Sequence, residues 1–224
     1  NYWEEIYRNN LQLNIYPWSN VVSFFFKYKD CFLENNCSIL EVGSGSGINL
    51  HPFAKAGLKC TGIDISKSAV LFARKLASKS NLDIEFYNFS LSDKCLFETF
   101  QNSNKLFSGV IDRASLSCLS FDEVIIFFNL LKPFLKKNSK IFFTPYSSSD
   151  SSCPDKKSAY VRTKSNSSSE GPLLMFYDEE LIYKLVETLS FKIVDITHNK
   201  QERIINLNSK ETSCVSFFEV VMES

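Results

Sequence analysis

Ile39-Leu40-Glu41-Val42-Gly43-Ser44-Gly45-Ser46-Gly47-Ile48 is the stretch that decides the fold of this chain. Ile39, Leu40 and Val42 make a short apolar run that stops at three glycines spaced two apart, and Ile48 opens the segment beyond. A strand running into such a turn and then into a helix is the opening unit of an open α/β sheet. Glycine tolerates positive φ and has no Cβ to hold a ligand away. The helix start beyond the turn offers unpaired N–H groups to an anion. The chain has only 7 Gly in 224 residues, so Gly43, Gly45 and Gly47 together mark a local backbone requirement.

Further apolar runs follow at Leu58–Asp64, Asp83–Asn88, Leu106–Asp112 and Ser139–Thr144, at intervals long enough for helical crossovers. Between them lie helical stripes, one of Ala69, Val70, Ala73, Leu76 and Ala77 and a later one of Leu181, Ile182, Leu185, Val186 and Leu189. Ser120-Phe121-Asp122-Glu123 reads as a capping box opening a helix through Leu131, and Gly57 stands where a helix would end. Repeated βα units require a parallel sheet with right-handed crossovers. Phe191–Thr197 and Cys214–Met222 read as a closing hairpin. Two regions stand outside this scheme. Residues 1–30 are aromatic and predict a helical cap, with Pro17 near the first turn of its second helix; residues 145–172 predict a Ser-rich polar loop after the fifth strand. One domain over residues 1–224 is expected.

About twenty residues after the glycines comes Thr61-Gly62-Ile63-Asp64, an acid at the end of the second strand, where a doubly wound fold sets a carboxylate against ribose hydroxyls. A nucleoside-containing cofactor follows. The nicotinamide fingerprint GxGxxG fails, because its third glycine falls on Ile48 when counted from Gly43 and on Leu50 when counted from Gly45.

The form Glu41-x-Gly43-x-Gly45-x-Gly47 resembles motif I of the class I S-adenosylmethionine-dependent methyltransferases, and the resemblance runs over residues 37–222. Gly62-Ile63-Asp64-Ile65-Ser66 is similar to that family's ribose-binding strand end, and Phe107-Ser108-Gly109-Val110-Ile111-Asp112-Arg113 to its fourth-strand motif beside the transferable methyl. Leu130-Leu131-Lys132-Pro133 resembles the helix before strand five, and Met175–Leu181 with Phe191-Lys192-Ile193 the last helix and strand six. The resemblance implies a Rossmann-like, doubly wound, mostly parallel sheet of seven strands in the order 3-2-1-4-5-7-6, strand seven antiparallel. It implies S-adenosylmethionine as cofactor and S-adenosylhomocysteine as product; no metal is expected, since no CxxC pair appears and only 2 His are available. Glu41 would face the methionine end, Gly43, Ser44, Gly45 and Gly47 the turn, Asp64 and Ile65 the ribose, and Asp112 the reaction centre. Many members hold the adenine amino group with an acid after strand three; here Asn88 with Phe89 packing on the ring, or alternatively Ser90, takes that place. Trp3, Tyr7, Tyr16 and Trp18 read either as packing aromatics of the cap or as a lid, with Trp3 and Trp18 over the cofactor.

A sulfonium methyl is already electrophilic, so the protein mainly aligns an acceptor lone pair with it. Asp112, His51 and His198 are the candidate bases. Each also has a plainer reading, Asp112 as a cap and the two histidines as packed side chains. Arg113, Arg162 and Tyr146 are the candidate substrate contacts; Arg113 equally suits a local ion pair, and Arg162 equally a solvated loop.

Composition limits the acceptor. Lys+Arg and Asp+Glu are both 25, giving net charge +0 and no field for a polyanion. Asp112-Arg113-Ala114-Ser115 stands where methyltransferases of nucleic-acid base amines carry Asp/Asn-Pro-Pro-Tyr. The 7 Cys, odd and scattered, and the 2 His argue against zinc and suit a reducing compartment. No apolar run approaches the length of a membrane span, and Asn1-Tyr2-Trp3-Glu4-Glu5 lacks signal-peptide character, so a cytoplasmic protein is expected. The expected activity is methyl transfer to O or N of a small polar metabolite, sugar- or amine-bearing, with no nucleic-acid or membrane partner. The alternatives are a nicotinamide-dependent dehydrogenase and a non-catalytic partner subunit.

Overall fold

Parallel strands that share one register bring their C-terminal ends to one edge, and here that edge carries the site. In a computed structural model, residues 2–33, 38–164, 170–206 and 211–224 are described. Contacts divide the chain into two units, one of residues 1–113, 129–142 and 224, the other of residues 114–128 and 143–223. Cys37 and the Ser-rich stretch 165–169 lie outside the described residues.

The first unit is built on β1 (Ser38–Val42), β2 (Lys59–Asp64), β3 (Ile84–Asn88), β4 (Phe107–Asp112) and most of β5 (Leu135–Phe143), in the order β3-β2-β1-β4-β5. The first four pair in parallel, with Val42 opposite both Ile63 and Asp112, and Asp64 opposite Asn88. The aromatic start forms two helices, α1 (Tyr2–Arg8) and α2 (Ser19–Leu33). Helix α2 buries Val21, Phe24, Phe25 and Phe32. Phe24 stacks on Phe142 at 5.0 Å between ring centres, and Phe25 meets Phe53 of α3 (His51–Lys55) edge-on at 4.7 Å. Burying each such ring stabilises the unit by about 1.5–3 kcal/mol.

Helix α4 (Lys67–Lys79) begins where the Ser66 side chain accepts the Ala69 N–H at 3.1 Å. Its buried face is Ala69, Val70, Ala73 and Ala77, small residues that let the helix lie close to the sheet. The expected helix at 48–56 is a 3₁₀ turn (Ile48–Leu50) continuing into α3, and Gly57 follows at φ 87°. Helix α5 (Lys94–Asn102) crosses to β4, with Phe100 edge-on to Phe107 at 5.1 Å.

The second unit holds most of α6 (Phe121–Leu131), α7 (Glu179–Thr188) and the strands β6 (Tyr146–Ser147), β7 (Ala159–Lys164), β8 (Glu170–Tyr177), β9 (Lys192–Asn206) and β10 (Glu211–Glu223). The capping box forms as read, Ser120 N–H and Oγ each reaching Glu123 Oε2 at 2.7 Å. Helix α7 starts at Asp178, whose carboxylate accepts the Leu181 N–H at 2.9 Å. Strands β9 and β10 pair antiparallel, as the closing hairpin requires, and both run further than their apolar cores predict.

Two expectations are corrected. The described residues form ten strands, not seven: the first unit follows 3-2-1-4-5, but in the second β10 lies between β9 and β6, and β8 and β7 follow β6. The added strands arise from the segment expected as a loop. Leu174 and Phe176, two apart on β8, bury one face together with Cys153, and Cys118, Tyr146 and Val161 pack against it. The polar residues before β7 are pinned as well, since Asp150 Oδ1 accepts the Ser152 N–H at 2.9 Å and Oδ2 the Ser216 N–H at 2.8 Å. Among the described residues no helix is long and apolar enough to cross a membrane.

Candidate functional site

Gly43, Gly45 and Gly47 all take positive φ, so the chain folds back on itself directly after β1. The turn is closed by hydrogen bonds from Ser44 N–H to the Ile63 carbonyl at 2.8 Å and from Gly47 N–H to the Ser44 carbonyl at 2.7 Å. Gly47, at φ 70°, could not carry a side chain: a Cβ there would lie 2.4 Å from Phe86 Cζ. A Cβ on Gly45 would lie 2.6 Å from Tyr7 Oη of α1. Phe86 thus fills the Cβ position of Gly47, and Tyr7 that of Gly45.

Asp64, buried at the end of β2, ties the turn to α4. Its Oδ2 accepts the Gly45 N–H and its Oδ1 the Ser66 N–H, both at 2.8 Å. Burial raises its pKa, the two backbone bonds oppose that, and Glu4 adds like charge. Glu4 of α1 is the latch of the cap. It accepts Ser66 Oγ and Ser68 Oγ, each at 2.6 Å, and Ser68 N–H at 3.1 Å. The Ser66 and Ser68 side-chain bonds hold its carboxyl at about 2 against an ordinary 4.5. A depressed carboxyl gives its full stabilisation above the ordinary value and loses it as pH falls through the folded one. Acid titration is therefore expected to loosen α1 from α4 between about 4.5 and about 2. Trp3 fluorescence in a Trp18→Phe background reads this step. It should vanish in Glu4→Gln, and its persistence there would contradict the latch.

Glu41, next to last in β1, is a strongly perturbed acid. It is 1% exposed, its Oε1 accepts Asn49 Nδ2 at 2.8 Å, and its Oε2 has no partner among the described residues. Burial above all, with Asp64 and Asp112 as like charges, pushes it up to about 8, against the pull of the Asn49 bond. Asp112, at the end of β4, is fully buried. Asn49 Oδ1 in turn accepts the Trp18 N–H at 3.0 Å, and the Arg113 guanidinium lies over the Trp18 ring at 4.0 Å. The Ser44 hydroxyl is buried without a partner among the described residues.

At the far side of the edge, Asn88 Nδ2 donates to the Asp64 carbonyl at 3.0 Å, which leaves Oδ1 as the acceptor end of that amide. Phe89 stacks on Tyr87 at 6.4 Å, and Ile65 is 44% exposed. Trp3 meets Tyr2 edge-on at 5.2 Å within α1.

The structure thus gathers Glu41, Asp64 and Asp112, with Arg113 and Trp18 linked to them through Asn49. It does not bring in His51. Burial lowers the pKa of that histidine, the charge bearing on it is Lys55, and its Nε2 is buried without a partner among the described residues. Tyr146, Arg162 and His198 belong to the second unit. There Tyr146 packs on Phe176 at 6.1 Å, Arg162 Nη1 donates to the Gly171 carbonyl at 3.1 Å, and His198 Nε2 meets Ser147 Oγ at 2.8 Å and Ser216 Oγ at 3.1 Å. Glu4, Ser66 and Asn49 were missed by sequence reasoning. A polar Asn two residues past the last glycine, on a segment otherwise apolar, was the available signal for Asn49.

Residues 39–138 match the family described as a methyltransferase domain. That match takes in less than half of this chain and likens the matched region to a methyltransferase domain. The ubiquinone biosynthesis O-methyltransferase of Pasteurella multocida (strain Pm70) is 32% identical over 113 residues, 47% of this chain and 45% of that relative, so the matched region spans less than half of the relative's length. Among solved structures, an S-adenosylmethionine-dependent methyltransferase from Methanosarcina mazei has a TM-score of 0.65 at 17% identity, covering 88% of this chain and 96% of that one. The 1,6-didemethyltoxoflavin-N1-methyltransferase of Burkholderia thailandensis, with bound S-adenosylhomocysteine, has a TM-score of 0.67 at 13% identity, covering 99% and 85%. These two likenesses are of fold.

Proposed function

We propose that this chain transfers the methyl group of S-adenosylmethionine to an oxygen or nitrogen of a small polar metabolite, sugar- or amine-bearing. One observation carries the reading: a buried glutamate with an unsatisfied Oε2, beside two more buried carboxylates, at the glycine turn of the region that matches a methyltransferase domain. An unpaired buried acceptor of this kind is costly unless a ligand donor meets it. S-adenosylmethionine brings two cationic centres, an ammonium and a sulfonium, and so fits this set of groups.

In this reading Glu41 holds the ammonium, Asp64 the ribose hydroxyls, and Asn88 the adenine amino group through Oδ1. Ile65 and Phe89 flank the nucleoside, with Ser44 as a further polar contact. The bound cofactor supplies an electrophilic methyl. The chain's own part is to align the acceptor, exclude water and accept a proton where the acceptor loses one. Asp112 suits the last role by its place at the end of β4, and Arg113, its guanidinium carbon 4.0 Å from the Trp18 ring centre, is the candidate contact for the acceptor. Relatives named for O- and N-methylation support acceptors of those elements. The neutral net charge supports a small molecule over a nucleic acid or a membrane surface, and the odd, scattered set of 7 cysteines supports a reducing compartment such as the cytoplasm.

Incubation with methyl-labelled S-adenosylmethionine and a fractionated cell extract tests this directly. Label is expected in the small polar fraction, dependent on the protein. Label confined to macromolecules would reject the acceptor class, and none at all despite cofactor binding would favour a non-catalytic role.

A further inference from the structure

We infer that Asn49 is a positioning residue for Glu41: its amide holds one carboxylate oxygen so that the other meets the amino-acid end of the cofactor. This rests on the reading of the strand-end carboxylates as the seat of a methionine-bearing nucleoside. Asn49 is 6% exposed and lies on the 3₁₀ turn that Gly47 launches. Both ends of its amide are used. Nδ2 donates to Glu41 Oε1 at 2.8 Å, and Oδ1 accepts the Trp18 N–H at 3.0 Å. The two bonds agree on one orientation, because the flipped amide would set acceptor against acceptor at Glu41 and donor against donor at Trp18. The Trp18 backbone therefore fixes the amide, and the amide fixes the carboxylate.

The consequence is chemical as well as geometric. With Oε1 committed, Oε2 is the oxygen that takes up a proton or meets a cation. The acidic groups bearing on Glu41 are Asp64 on β2 and Asp112 on β4, each of which pushes it up, and the Cys60 thiol on β2 feels Glu41 in return. Against these the Asn49 bond favours the ionised form. A ligand ammonium needs that form, so affinity rises with pH through the Glu41 titration. Removing Asn49 moves the rise to higher pH. A scaffold residue would have no such selective effect.

The test compares two ligands by calorimetry from about pH 6.5 to about pH 8.5. S-adenosylhomocysteine carries the amino-acid end; 5′-methylthioadenosine keeps the nucleoside and lacks it. In Asn49→Ala at about pH 7, S-adenosylhomocysteine affinity is expected to fall about tenfold or more and its pH midpoint to rise, while methylthioadenosine affinity stays within about twofold. Asn49→Asp keeps the shape and the acceptor for Trp18, and replaces the amide donor facing Glu41 with a carboxyl whose like charge pushes the Glu41 titration up. It is expected to show the same selective loss, and it carries the test if Asn49→Ala does not fold. Equal losses for both ligands, or S-adenosylhomocysteine affinity and pH midpoint unchanged in Asn49→Asp, would overturn the role of Asn49. A wild-type protein that binds neither ligand would instead reject the underlying site reading.

Discussion

Asp64→Ala should lower the affinity for S-adenosylhomocysteine by about ten- to one-hundred-fold, the range set by one or two lost charged hydrogen bonds to the ribose. The structure adds a second effect. Asp64 also accepts the Gly45 and Ser66 N–H groups, so the alanine variant leaves two buried donors without their partner. Each such group costs about 1–3 kcal/mol, and the variant is expected to melt at lower temperature, not to keep the fold unaffected. Asp64→Asn separates the two effects. It keeps one acceptor oxygen for the backbone and removes the charge. Calorimetric titration and thermal melts of both variants check the pair of effects. A folded Asp64→Asn protein with undiminished affinity would remove Asp64 from the ribose site.

Gly47→Ala is expected to be the most damaging small substitution on the turn. At φ 70° an L-residue is strained by about 1–3 kcal/mol. The new methyl also overlaps the Phe86 ring, 2.4 Å from Cζ and 2.5 Å from Cε1, and such overpacking adds about 1–3 kcal/mol. The sum, about 2–6 kcal/mol, is a large share of a domain's stability. Adding Phe86→Leu should recover the packing part only. Gly57→Ala is the matching control: its φ is 87° and nothing lies within 4 Å of its Cβ position, so it keeps the strain without the clash. Urea denaturation of the three variants reads these differences. Equal losses in Gly47→Ala and Gly57→Ala would show that Phe86 does not set the requirement at position 47.

The parts of this fold legible in the sequence are those where burial and special backbone coincide. The run Ile39–Val42 with its glycines, the second-strand acid and the stripe of α4 each show a period or a positive-φ residue that has one structural use. The hairpin β9/β10 was only half legible. Beyond Thr197 the residues His198-Asn199-Lys200-Gln201-Glu202 carry no apolar alternation, and the strand is held there by backbone pairing to Cys214–Phe218, which leaves no compositional trace. Strands β7 and β8 were hidden for a related reason: serines and lysines surround a buried face of few residues, Val161, Leu174 and Phe176.

The candidate site divides the same way. Glu41, Asp64 and Asp112 were legible because each stands at or next to the end of a strand of readable polarity. Asn49 and Glu4 were not, because their roles depend on hydrogen bonds to residues far along the chain, Trp18 and Glu41 for the one, Ser66 and Ser68 for the other. Tyr7 beside Gly45 shows the converse. The glycine was legible, but the side chain that occupies its missing Cβ position lies on another helix.

The central claim is that the buried carboxylates at the ends of β1, β2 and β4 hold a methionine-linked adenosine. Side-by-side calorimetric titration of the wild-type chain with S-adenosylhomocysteine and with NADH tests it most directly. Saturable binding of S-adenosylhomocysteine, lost in Asp64→Asn, with no heat from NADH, is the predicted result. Binding of NADH in place of S-adenosylhomocysteine would contradict it.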